Sequence, residues 1–127
     1  MAEPNSVLEI LEEGDVLVLA IKRSQVEGDE VAQAFKAEME AALAQTGAVK
    51  VVLDLKNTRY VSSIVFWPLL ALRRKLAECG GRLIICGLSG AVEDVFTTTK
   101  MVSTGGAVNA PFEVAPDRTA ALAQLAS

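Results

Sequence analysis

Apolar and polar positions change their spacing several times along the chain, and each change marks an element. Residues 7–12, VLEILE, alternate apolar and polar, which predicts a half-exposed strand. Gly14-Asp15 marks a turn, and residues 16–21, VLVLAI, form a nearly continuous apolar run. Together they predict an antiparallel hairpin with an outer strand and a buried inner one. Val31, Phe35, Met39 and Leu43 then recur at steps of four, the stripe of a helix over 29–45. Asp29 and Glu30 sit where a helix dipole favours negative charge, and Gly47 follows Thr46 where a left-handed cap ends the helix.

Residues 49–55, VKVVLDL, read as a buried strand, and the link 56–61, KNTRYV, leads to a second helix ending near Glu78. Val65, Leu69, Leu72 and Leu76 define its buried stripe. Gly80-Gly81 stops it, and 82–86, RLIIC, is the next buried strand. Ser89 is placed to cap a third helix over 90–99, with a loop over 100–110 and a short strand over 111–114. Asp117 is placed to cap a last helix over 118–126. The order β-β-α-β-α-β-α-β-α predicts an α/β fold whose sheet is mixed but mostly parallel, with right-handed crossovers.

Composition narrows the chemistry. The 127 residues fit one domain, 51% of them apolar and 22% charged, as in soluble globular proteins. No apolar run reaches the ~18 residues of a membrane span, and the first ten residues lack a signal-peptide pattern; the expectation is a cytoplasmic protein without membrane insertion. A net charge of −4 argues against nucleic acid as a partner. Histidine is absent, which removes the usual general base and imidazole ligand. Cys79 and Cys86 fit no zinc spacing, and Cys86 reads as a buried small hydrophobe. The expectation is a protein without catalysis, metal or cofactor that works by binding other proteins.

Two hydroxyls interrupt the chain before the second helix: Ser62 and Ser63. They suit a helix cap, or a phosphoacceptor at a helix N-terminus. Trp67 falls on the side of the helical wheel opposite the stripe, with Phe66 and Leu70 on its flank. That predicts an exposed apolar patch for a partner or a second copy of the chain. If Pro68 instead shifts the helix start, Trp67 tucks inward.

A longer series of segments resembles the STAS domain family of bacterial anti-sigma factor antagonists. It runs Leu53-Asp54-Leu55, Val61-Ser62-Ser63-Ile64-Val65, Leu69 to Leu76, Gly80-Gly81-Arg82-Leu83 and Leu88-Ser89. The resemblance implies helices packed mainly on one face of the sheet. It also implies a regulatory module in a partner-switching pathway that docks on an anti-sigma factor or serine kinase-like protein. Binding would be controlled by phosphorylation at Ser63, with Ser62 standing where the family has Asp and Val65 where it has Gly. Asp54 and Thr58 flank this motif, and Arg59 is placed to pair with a phosphate. A second reading is a STAS-type scaffold or accessory subunit docking on the ATPase of a membrane transporter.

Overall fold

A computed structural model describes residues 6–98 and 112–126. Its elements are β1 (Leu8–Glu13), β2 (Val16–Ile21), β3 (Gln25–Val26), α1 (Asp29–Thr46), β4 (Lys50–Asp54) and β5 (Tyr60–Val61). A 3-10 turn over Ser63–Val65 leads into α2 (Phe66–Glu78). There follow β6 (Arg82–Cys86), α3 (Gly90–Thr98), β7 (Glu113–Ala115) and α4 (Arg118–Ala126). The loop expected over 100–110 lies outside the described residues, as do Thr99 and Pro111.

Five strands form one sheet in the order β1-β2-β4-β6-β7. β1 runs antiparallel to β2, and the remaining pairs are parallel. β2 is buried at all six positions because both its faces are covered. Leu17, Leu19 and Ile21 point into the main core, with Phe35, Met39 and Leu43 of α1, Leu69, Leu72 and Leu76 of α2, and Val92 and Phe96 of α3. Val16 and Val18 point the other way, with Val52, Ile84 and Cys86, under Ala121 and Leu125 of α4. Among the described residues three helices thus share one face and α4 covers the other. The fold is the expected mixed, mostly parallel α/β sheet.

The α1 stripe is buried from Phe35 to Leu43, with Val31 partly buried at its edge. The helix ends one residue later than the pattern suggests, and Gly47 closes it in the left-handed region at φ 66, its N–H donating to the Leu43 carbonyl. The last strand is displaced to Glu113–Ala115 from the expected 111–114.

Two strands were not expected. β3 and β5 pair in parallel over two residues each, Gln25 with Tyr60 and Val26 with Val61. Side-chain alternation cannot reveal a two-residue strand, because one period needs at least that many positions. This small ladder ties the segment after β2 to the link after β4 and so sets where Ser62 and Ser63 emerge.

Candidate functional site

The site begins where β4 ends. Asp54 is 2% exposed. Its Oδ1 accepts from the Lys56 N–H at 3.0 Å, turning the chain out of the sheet. Its Oδ2 accepts from Arg118 Nε at 3.1 Å and pairs with Nη2 at 3.0 Å. A buried carboxylate requires such partners. Thr58, also buried, donates through Oγ1 to the Arg23 carbonyl at 3.0 Å, and its N–H donates to the Leu55 carbonyl at 2.9 Å. The Arg59 and Tyr60 N–H groups both reach the Ser24 carbonyl, at 2.7 and 3.0 Å. The link is therefore fixed at four successive points before Ser62. In this structure Asp54 and Thr58 brace the link, and neither reaches solvent. Arg59 is exposed within it.

Ser62 has extended backbone (φ −94, ψ 161), and its N–H donates to the Val26 carbonyl at 2.9 Å. Its side chain forms no capping hydrogen bond to the turn. Ser63 is exposed and opens the 3-10 turn. The cap position of α2 itself is Val65, which carries no polar side chain. The capping alternative thus has no hydrogen bond behind it. Val65, where the family has Gly, takes ordinary helical angles (φ −70, ψ −17) and turns into the core at 2% exposure, so it demands no glycine.

The expected aromatic patch is divided. Phe66 is a core residue, 5% exposed, and meets Phe96 of α3 edge to face at 5.0 Å. The expectation of an exposed Phe66 is corrected: Phe66 lies on the flank of α2 that meets α3, where Phe96 covers it. Leu70 is half-buried against the main core. Trp67 is 75% exposed. Pro68 lies buried in the first turn of α2, where a missing N–H leaves no hydrogen bond unmade, yet Trp67 does not tuck inward. Tyr60, three residues before Ser63, is 40% exposed, and the sequence reading did not single it out. Its place in a two-residue strand gave no signal.

Cys86 is fully buried beside Asp54, as a small hydrophobe would be. Burial pushes its thiol up to about 12, with the Asp54 charge adding to the effect. Such a thiol is not a nucleophile near neutral pH. Among the described residues no three His, Cys, Asp or Glu side chains are grouped to hold a metal. No helix among them is long and apolar enough to cross a membrane.

The STAS domain family matches residues 8–107, and the chain belongs to that family. A putative anti-sigma factor antagonist from Thermotoga maritima shares the fold with a TM-score of 0.78 at 15% identity, over 94% of this chain and 95% of its own. An anti-sigma factor antagonist from Mycobacterium paratuberculosis matches with a TM-score of 0.77 at 19% identity over 100% of both chains. The anti-sigma factor antagonist SpoIIAA, in its unphosphorylated form, matches with a TM-score of 0.74 at 15% identity, over 94% and 96%. No curated protein matches the chain in sequence.

Proposed function

We propose that this chain is a single-domain, non-catalytic docking module that works in the cytoplasm by partner switching, in the manner of anti-sigma factor antagonists. Its partner is an anti-sigma factor or serine kinase-like protein, and Ser63 is the phosphoacceptor. The observation that carries the reading is Ser63 itself: an exposed hydroxyl, four residues before the exposed Trp67, on a link that the β3–β5 ladder holds in place. A phosphate there would add between one and two negative charges beside the docking face, at a helix start whose dipole favours them. An acidic or apolar partner would then be repelled. Tyr60 and Arg59 lie close in sequence, and the exposed Arg59 is the cation proposed to meet the phosphate.

The test is affinity capture of the tagged chain from its native cells, with bound proteins identified by mass spectrometry and phosphate mapped on the bait. A serine kinase-like partner, with phosphate on Ser63 in the unbound fraction, supports the reading. A transporter ATPase, with Ser63 bare in every fraction, overturns it in favour of an accessory subunit.

A further inference from the structure

Charge is unevenly distributed on this acidic chain. α2 carries three cations, Arg73, Arg74 and Lys75, and one carboxylate, Glu78. All four are exposed. Among the described residues no ion pair engages the three cations, nor Lys22, Arg23, Lys56 or Arg59, whereas Lys36, Lys50, Arg82 and Arg118 are each paired with a carboxylate. At 100° per residue Arg74 and Glu78 both lie within about 20° of the line through Trp67, two and three turns on, and Arg73 and Lys75 fall roughly 100° to either side of Arg74. Ala71 is exposed between them. A 75% exposed tryptophan is thus set at one end of an exposed helix face on which three cations outnumber one carboxylate, Glu78.

We propose that this face of α2 docks an acidic segment of a partner protein, with Trp67 as the apolar anchor and Arg73, Arg74 and Lys75 as the counter-charges. The inference rests on the reading of the chain as a docking module and names the chemistry of its partner. Tryptophan and arginine are the residues that most often carry interface energy, and complementary charge sets which partners are accepted. Two other occupants fit less well. A second copy meeting face to face about α2 would bring two net-positive faces together, each with three cations and only Glu78 to offset them. An anionic membrane calls for about four to eight clustered cations, and α2 offers three. The face also explains how a phosphate on Ser63 would act: its negative charge would offset the cations and repel the acidic segment from the same surface.

The test uses the full chain with p-benzoylphenylalanine in place of Ala71, which leaves Trp67 intact, irradiated in native cells. Cross-linked peptides should come from another polypeptide and be rich in Asp and Glu around the adduct. The yield should fall by about tenfold when Arg73→Glu and Arg74→Glu are combined, as expected for loss of complementary charge. Adducts to the chain itself, to lipid or to segments without acidic residues overturn the inference, as does the absence of any adduct or a yield indifferent to the charge reversal. Ser63→Asp in the same assay separates the two claims. A yield that survives Ser63→Asp but not the charge reversal removes the switch and keeps the docking chemistry. The opposite pattern keeps the switch and removes the docking chemistry.

Discussion

Asp54, at the end of β4, and Arg118, at the start of α4, form an ion pair with Oδ2 to Nη2 at 3.0 Å, across 64 residues of sequence. The pair fastens the helix that, among the described residues, covers the second face of the sheet. Removing the cation leaves a buried carboxylate with the Lys56 N–H and the weakly donating Cys86 thiol as its neutral partners. Arg118→Met should therefore cost about 3 kcal/mol, read from urea unfolding. A loss below about 1 kcal/mol, the range of surface pairs, would mean that Asp54 is effectively solvated.

Gly87 lies against the same carboxylate. A Cβ there would stand 2.7 Å from the Lys56 nitrogen and 2.9 Å from Asp54 Oδ1, on a backbone with φ +77. Gly87→Ala should destabilise the fold by about 2–4 kcal/mol, combining the left-handed penalty with overpacking. Gly14→Ala, where φ is +65 and the space is open, should cost only about 1–2 kcal/mol. Equal losses in paired thermal melts would show that the close approach to Asp54 is relieved by a small shift.

Neighbouring aromatics should respond oppositely. Phe66→Ala empties a core position against Phe96 and should cost about 3–5 kcal/mol. Trp67→Ala should change stability by no more than about 0.5 kcal/mol while weakening partner binding. A large stability loss at Trp67 would place its ring in the core.

The two thiols should also separate. Cys79 is exposed and Cys86 buried. At pH 8 a thiol reagent should label Cys79 in the native protein and Cys86 only on unfolding. Because burial raises the Cys86 pKa from 9.0 to about 12, the folded state holds the proton more tightly than the unfolded chain does. Its contribution to stability is complete below pH 9 and is lost as pH rises from there toward 12. Cys86→Ala should flatten the alkaline part of the stability profile, and an unchanged profile would show that the thiol does not titrate with unfolding.

What could be read from the sequence follows the length and regularity of each signal. α1 and α2 carry the apolar period that one face of a core imposes, β1 alternates, and β2, β4 and β6 are the apolar runs of covered strands; these were legible, whereas the three-residue β7 was expected two residues early. The Asp54–Arg118 pair was not, since nothing local marks contacts between residues so far apart. Neither was the clamp in which the Glu38 carboxylate accepts the Val7 and Leu8 N–H groups from α1, at 2.9–3.0 Å. At the site, the exposure of Trp67 was legible because it stands opposite the helical stripe, whereas Ser63 was singled out by the family resemblance and not by any period. Phe66 was misplaced because it lies on the flank of the stripe, where burial depends on a distant neighbour that no local pattern marks, here Phe96 of α3.

Titration calorimetry of the captured partner against wild type, Ser63→Ala and Ser63→Asp tests the central claim most directly. A control spectrum of each variant should show the fold unchanged, because Ser63 is exposed and caps nothing. The account predicts that Ser63→Ala binds like wild type and that Ser63→Asp loses about tenfold or more in affinity, roughly 1.4 kcal/mol. Equal affinity of all three would contradict it, and would leave Ser63 a solvent-facing residue on a docking face that no phosphate controls.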